Sequence, residues 1–109
     1  MARQIVWTET AARDLEQAAE HIALDSPRYA AAFVREVQTA ARSLSELAGR
    51  GRIVPEFSRR DIRELLVRNY RLVYHLSRDV VTIIGFIHGA RDLGAIWERE
   101  HRTPADDAE

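Results

Sequence analysis

The stretch that decides the fold is NYRLVYHL, residues 69–76, in which large apolar and polar side chains alternate. This period of two is typical of a β-strand with one face on a core. The tyrosines and leucines would share the core face, and Arg71, Val73 and His75 would share the other. We expect Arg71 to lie on the open side of the sheet and to present its charge to a partner. Replacing Arg71 with alanine should then weaken binding and leave the fold intact.

Two further β-prone runs flank this strand, and their short connections predict an antiparallel meander. IRELLV (62–67) comes before it, with Arg68–Asn69 between them. VVTIIGFIH (80–88) follows after Ser77–Asp79. Connections of two or three residues are typical of neighbouring antiparallel strands. The last run is apolar on both faces, which predicts a central strand or one covered by helices.

The N-terminal half of the chain predicts one short strand and two helices. RQIVW (3–7) is β-prone, and apolar residues then recur every three or four positions along residues 12–22 and 30–47. Ser26 is a suitable N-cap for the second helix, and Gly49 is well placed to end it. Two helices joined by so short a link form an antiparallel hairpin.

The complete order of elements is β-α-α-β-β-β. Residues 49–61 read as a loop with a short strand near Ile53 and Val54. The fold class is therefore α+β, with an N-terminal strand, a helical hairpin and a three-stranded antiparallel meander that forms one sheet under the hairpin. At 109 residues the chain has the size of one domain. We place that domain at residues 1–98 and predict that the polar, acidic residues 99–109 are disordered.

Composition limits the classes of site and of location. There is no cysteine, and the four histidines show no metal-ligand spacing, so we expect no metal and no cofactor. No apolar run reaches the roughly 20 residues that span a bilayer, and the N-terminus lacks the pattern of a signal peptide. We expect a cytoplasmic protein with no membrane partner and no small-molecule substrate.

Charge is unevenly distributed along the chain. The net charge is −1, and all sixteen basic residues are arginine. Residues 1–49 hold five arginines and seven acids, residues 50–78 eight arginines and three acids, and residues 79–109 three arginines and seven acids. A basic middle segment between acidic ones indicates an anionic or acidic partner.

Several stretches carry a family resemblance. IVWTETAARDLE (5–16), a GR before VPE, the REL…NYRLVYHL hairpin and HGARDL (88–93) occur in this order. Together with the order of elements, they resemble the RelE/ParE superfamily of bacterial toxins, over about residues 3–97. The resemblance implies the RelE/ParE-like fold and the toxin role in a type II toxin–antitoxin system.

The RelE-like branch implies a ribosome-dependent messenger RNA endonuclease. Carried over by position, Arg71 and Arg91 match catalytic arginines, whereas Trp97 stands where that branch has a tyrosine. Arg63 is the only cation where the branch has lysines. Arginine can stabilise a phosphorane but cannot shuttle protons. If the chain is a nuclease, the candidate catalytic residues are Arg71 and Arg91, which would stabilise charge, and His75 and His88, which would transfer protons.

The ParE-like branch is the better match, particularly in HGARDL and in the RELLV strand. It is associated with poisoning DNA gyrase and with plasmid stabilisation, and that activity is binding rather than catalysis. We therefore predict a non-enzymatic gyrase inhibitor. The alternatives are a RelE-like nuclease and a non-toxic relative that retains antitoxin binding. The candidate contact residues for target or antitoxin are Arg63, Arg71, His88, Arg91 and Trp97.

The resemblance also implies a cognate ParD-like antitoxin whose acidic, flexible C-terminal segment wraps the toxin. A small-residue surface on the helical hairpin would let a partner helix approach closely, and the sheet edge would accept an added strand. Arginines on the sheet face would complement an acidic segment. The alternative for Arg71 is a structural ion pair with Glu64 across the hairpin. The predicted helical surface includes Ala11, Ala18, Ala31 and Ala32.

Overall fold

A computed structural model describes residues 2–89 of the chain. The order of elements matches the predicted one, with short β2 in the loop before the meander. A single 3₁₀ turn at Ala48–Arg50 comes before β2. The elements are β1 (Gln4–Trp7), α1 (Glu9–Ala23), α2 (Pro27–Ser43), β2 (Arg52–Ile53), β3 (Ile62–Val67), β4 (Tyr70–Leu76) and β5 (Val80–His88).

The five strands form one sheet in the order β1-β5-β4-β3-β2. The meander β3-β4-β5 is antiparallel, as predicted, and β5 lies between β1 and β4. The sheet as a whole is mixed, because β1 pairs with β5 in parallel. A parallel neighbour becomes possible because the two helices carry the chain across one face before the meander begins.

Side-chain caps begin both helices. Thr8 Oγ1 accepts a hydrogen bond from the backbone N–H of Ala11 at 3.0 Å, and Ser26 Oγ accepts one from Tyr29 at 3.1 Å. The prediction that Gly49 ends the second helix is wrong. The last helical residue is Ser43, and Leu44 caps the helix in a right-handed conformation, so no glycine is needed there.

The sheet carries a core on each face. The larger core lies under the helices and includes Phe33 and Tyr74. The smaller one lies on the opposite face, which we call the helix-free face, and it includes Val73 and Ile84. The loop of residues 54–61 contributes to this second core through Val54 and packs Phe57 against it.

β5 is apolar on both faces because it contributes to both cores, and it contains a bulge. Val73 pairs with Gly85 and Tyr74 with Ile83, which leaves Ile84 as an extra residue pointing into the smaller core. Phe86 lies past the end of β1, and its backbone N–H donates to Asp14 Oδ2 on α1 at 3.1 Å. Helix α1 thus supplies a hydrogen-bond acceptor to β5 where β1 has ended.

Candidate functional site

Arg71 lies in β4 between Leu66 of β3 and Ile87 of β5, on the helix-free face. The predicted face is correct, but the predicted exposure is wrong, because the residue is only 5% exposed. Its Nε donates to Glu64 Oε1 at 2.5 Å, so the alternative of a structural pair with Glu64 is confirmed. Its Nη1 and Nη2 donate to the two carboxylate oxygens of Glu56 at 2.9 and 2.8 Å.

These residues belong to a charge cluster, which we define as Arg52, Glu56, Glu64 and Arg71. The Glu64 side chain is fully buried and accepts a second bond, from Arg52 Nε at 2.5 Å. Hydrogen bonds from Arg71 to Glu56 and then to Glu64 raise the pKa of Arg71 above its ordinary value. Two positive charges balance two negative ones, and the buried members, Glu64 and Arg71, are both paired, as a buried charge requires. The Arg52 side chain is 62% exposed.

His75 lies on the same face, four residues further along β4. Its Nε2 lies 3.0 Å from Asp61 Oδ2. Arg59 donates to both oxygens of Asp61, at 3.0 and 2.7 Å, and chiefly this bonding lowers the pKa of the Asp61 carboxyl. Within the described part of the chain, His75 Nδ1 is buried and has no hydrogen-bond partner. The imidazole thus ties β4 to the end of the 54–61 loop.

Two other predicted contact residues occupy different settings. His88 is exposed at the end of β5, and its ring meets the Tyr70 ring edge-on at 5.5 Å between centroids. Arg63 is half-buried and donates to two backbone carbonyls, those of Gly51 at 3.0 Å and Arg60 at 3.1 Å. Arg91, Trp97 and the predicted tail at 99–109 lie outside the described residues, so they stay predictions.

A cleft of about 360 Å³ opens beside the charge cluster at one end of the sheet. Arg68 closes one side of it from the β3–β4 turn, where its φ is 55°. Arg68 also donates to Glu36 at 2.7 Å and to the hydroxyl of Tyr29 at 2.8 Å, which anchors the turn to α2. The cleft is lined by Arg52, Leu66, Arg68, Asn69, Arg71, His88 and Gly89.

A second, almost wholly apolar groove of about 330 Å³ runs between α1 and α2. The prediction of a small-residue surface is confirmed only in part. Ala31 lines the groove, whereas Ala11 and Ala18 are buried against the sheet, because the core-facing stripe of α1 lies one position from the predicted one. The lining residues are Glu16, Ala19, Glu20, Ala23, Ala30, Ala31 and Val34.

Sequence reasoning missed Glu56 and Arg52 as members of the charge cluster. Glu64 is detectable, because alternation in β3 and β4 places it on the same face as Arg71. Glu56 lies in an irregular loop, and no periodicity indicates that its carboxylate returns to the sheet. The only available signal is that Arg71 has five N–H donors and one acidic neighbour in the sheet. If it is buried, it needs further acceptors from elsewhere in the chain.

Comparison with known proteins places the chain in a family. A family model described as "ParE toxin of type II toxin-antitoxin system, parDE" matches residues 5–93. The chain belongs to this ParE toxin family. The resemblance to the RelE/ParE superfamily is therefore confirmed. The Toxin RelE2 of Caulobacter vibrioides (strain ATCC 19089 / CIP 103742 / CB 15) is 35% identical over 89 residues, which are 81% of this chain and 97% of that protein.

A solved structure shares the fold of this ParE-family chain. It is described as "Chromosomal ParDE TA system from P. aeruginosa", and it matches with a TM-score of 0.67 at 20% identity. The match covers 80% of this chain and 96% of the other. The α+β architecture, with a helical hairpin on one sheet face, is therefore the architecture of a ParDE-system protein.

None of the helices in the described part of this ParE-family chain combines the length and the apolar character needed to cross a membrane. Among residues 2–89, no group of three or more histidine, aspartate or glutamate side chains is placed to hold a metal ion.

Proposed function

We propose that the chain is the toxin of a type II toxin–antitoxin system and that it acts in the cytoplasm by binding DNA gyrase. Membership of the ParE toxin family supports the toxin role. The resemblance associates the ParE-like branch with gyrase poisoning, and the basic segment of residues 50–78 suits an acidic protein surface or DNA held by the enzyme. Binding alone needs no general acid or base.

The observation that carries this proposal is the state of Arg71. In a nuclease, this arginine would have to offer its guanidinium to the scissile phosphate. Here Glu56 engages both terminal nitrogens in the bidentate geometry that a phosphate would need. Releasing Arg71 would also leave the fully buried Glu64 with one partner fewer. The geometry therefore favours a structural arginine and a binding toxin.

The second candidate is a RelE-like ribosome-dependent nuclease. The 35% identity to a protein named Toxin RelE2 favours it. The His75–Asp61 pair also favours it, because an imidazole held by a carboxylate is a common general base. Such an enzyme would use His75 or His88 for proton transfer, with Arg71 and Arg91 for charge stabilisation. A third candidate is a relative that binds an antitoxin but is not toxic.

An assay with purified toxin separates these candidates. Gyrase and plasmid would be incubated with the toxin, and ribosomes carrying a defined messenger would be treated in parallel. We expect linear plasmid from trapped cleavage complexes, together with intact messenger. The variant His75→Ala, which removes the histidine held by Asp61 and lies outside the candidate contact residues, should retain the gyrase effect. Messenger cleavage that this variant loses, without linear plasmid, would show the nuclease. The absence of both linear plasmid and messenger cleavage would indicate the non-toxic relative.

We also propose that a ParD-like antitoxin neutralises the toxin. The solved structure that shares this fold belongs to a ParDE toxin–antitoxin system, which supports this partner by analogy. The apolar groove between α1 and α2 fits one face of a partner helix, because alanines on both walls permit close approach. Co-expression with the protein encoded beside the toxin gene should yield a complex that survives size-exclusion chromatography. Separate elution of the two proteins would contradict this part of the proposal.

A further inference from the structure

A polar cleft of about 290 Å³, which we call the α2–β3 cleft, opens on the side of the sheet that carries the helices. One of its walls is formed by α2 and the other by β3. Arg50 meets the α2 wall at Ser43, and Arg68 meets it at Glu36. Glu36 and Ser43 are seven residues apart on the helix, so the two guanidinium groups are separated by about 10 Å along the cleft.

Arg50 brings a charge to this cleft that no carboxylate of the described chain neutralises. The residue is exposed, and its Nη1 donates to Ser43 Oγ at 2.7 Å. Within residues 2–89 this hydroxyl is the only side-chain partner of Arg50. Ser43 Oγ donates in turn to the carbonyl of Ala40 at 2.6 Å, so the hydroxyl that holds the guanidinium is itself fixed. The remaining N–H donors of Arg50 are available to a ligand.

The α2 wall and the far end of the cleft provide further hydrogen-bond donors. Arg68 donates from Nε to Glu36 and from Nη1 to Tyr29, whereas its Nη2 has no partner among the described residues. Thr39 Oγ1 accepts from Arg42 Nη2 at 3.3 Å, and in the same part of the chain its own O–H has no acceptor. Two guanidinium groups and one hydroxyl thus have hydrogens to give to an oxyanion.

The charge and the length of the cleft favour a chain of phosphates as its ligand. Its described lining holds two arginines and one acid, Glu36, which is bonded to Arg68, and Arg42 adds a third arginine beside Thr39. Arginine, serine and threonine are among the side chains that contact DNA phosphates. One strand of duplex DNA carries a phosphate every 3.4 Å or so of helix axis, so about 10 Å of cleft faces more than one phosphate. A single carboxylate or a free phosphate would reach only one of the two guanidinium groups.

We propose that the α2–β3 cleft binds the sugar–phosphate backbone of the DNA that gyrase holds, an inference that rests on the proposed function. Arg50 and Arg68 contact two phosphates of one strand, and the Thr39 hydroxyl donates to a phosphate oxygen between them. Contacts of this kind fix the position of a protein on DNA and carry no sequence information. The toxin therefore binds the DNA in the gyrase complex without reading its bases.

The salt dependence of DNA binding tests the phosphate contacts. Fluorescently labelled duplex DNA would be titrated with purified toxin at several salt concentrations, with anisotropy as the readout. Two phosphate contacts predict that the logarithm of the association constant falls with the logarithm of the salt concentration with a slope of about 2. Arg50→Gln should weaken binding at low salt about fivefold and reduce that slope by about one.

The matched control for this variant is Arg78→Gln, because Arg78 is exposed in the turn between β4 and β5, away from the cleft. It removes the same charge and should leave the slope nearly unchanged. Equal losses of affinity and slope in the two variants would show general attraction to a basic surface and would overturn the inference. Wild-type toxin that binds no duplex DNA at low salt would overturn it as well.

Cross-linking tests the same contact inside the gyrase complex. The chain has no cysteine, so a single introduced thiol can carry a photoactivatable cross-linker. Gln38→Cys places the thiol on the exposed surface beside Thr39, and Leu24→Cys places the control after α1, where Leu24 is 83% exposed. In a reaction with gyrase and plasmid, we expect DNA to be cross-linked by the first variant and not by the second.

The outcomes separate this inference from the proposed function. If wild-type toxin yields linear plasmid but Gln38→Cys cross-links no more DNA than the control, the DNA site is overturned and the gyrase proposal stands. Cross-linking of Gln38→Cys to a gyrase subunit in place of DNA would show an acidic protein surface in the cleft and would also overturn the site. If wild-type toxin yields no linear plasmid while Arg50→Gln selectively weakens DNA binding, the gyrase proposal fails and the DNA site stands.

Discussion

At the scale of single residues, Glu64 determines what Arg71 does. A carboxylate with no solvent exposure must be paired, and the two arginines that pair with it leave little charge for a ligand. Arg71 occupies the strand position of a catalytic arginine in the RelE-like branch. Because Glu56 also bonds it, its environment is that of a structural ion pair. The charge cluster therefore stabilises the helix-free face and fastens the 54–61 loop to it.

Replacing Arg71 with alanine should destabilise the fold. Replacing an exposed arginine would leave the stability of the fold nearly unchanged. We expect a loss of about 3–5 kcal/mol in the free energy of unfolding, because a buried carboxylate loses a partner. Urea denaturation would measure it, with Arg78→Ala as the exposed control. Adding Glu64→Gln to Arg71→Ala should restore part of the loss, since it removes the buried charge. A loss below about 1 kcal/mol, within the range of ordinary surface substitutions, would contradict this account.

The environment of Tyr74 should make the stability of the fold decrease at alkaline pH. Its hydroxyl donates to the carbonyl of Ala48 at 2.7 Å and accepts from the N–H of Gly51 at 3.0 Å. Burial raises the pKa of Tyr74 above the ordinary 10.0. The unfolded chain therefore releases this proton first as pH rises, which favours unfolding. The contribution of the hydroxyl is complete below pH 10 and is lost as pH rises toward the folded pKa.

The comparison that isolates this effect is wild type against Tyr74→Phe. At about pH 8 the variant should be less stable by about 1–3 kcal/mol, because two buried backbone groups lose a partner. The gap should narrow above about pH 10, where the unfolded tyrosine ionises. The chain has no lysine and no cysteine, so few other groups titrate there. A gap that stays constant across this alkaline range would refute the assigned role of the hydroxyl.

At the scale of elements, strands were predictable and helix ends were not. All three strands of the meander have the predicted bounds, because alternation and two- or three-residue connections are local signals. The first helix begins after Thr8, whose side chain caps it. The end of the second helix was misplaced, since Gly49 looked like a terminator although the helix ends at Ser43 with Leu44 as its cap. Propensity is a weak guide wherever packing decides.

The position of β2 beside β3 depends on Gly51, where there is no room for a side chain. A Cβ on Gly51 would lie 2.5 Å from the Tyr74 hydroxyl and 2.7 Å from the carbonyl oxygen of Glu64, whereas a Cβ on Gly49 would meet nothing within 4 Å. Gly51→Ala should therefore cost about 1–3 kcal/mol of stability through overpacking. Gly49→Ala should change stability little. Neither residue has a positive φ, so thermal unfolding of the pair compares sterics alone. Equal melting temperatures would contradict this description of the edge.

At the scale of the whole molecule, the sequence indicated the fold class, the single sheet and the toxin family. It did not indicate that β1 joins β5 in parallel, because sequence separation hides which strands meet across a helical hairpin. It also missed the return of Glu56 to Arg71 across the helix-free face. The site therefore differed from expectation at Arg71, where an irregular loop changes an exposed arginine into a buried one.

We propose that the toxin acts by binding gyrase and not by cutting messenger RNA. The most direct test is induced expression in bacteria, with the DNA-damage response and messenger integrity measured in the same culture. We predict filamentation and damage signalling while messenger stays intact. Rapid loss of messenger without DNA damage would contradict the claim and would make His75 and His88 the residues to replace next.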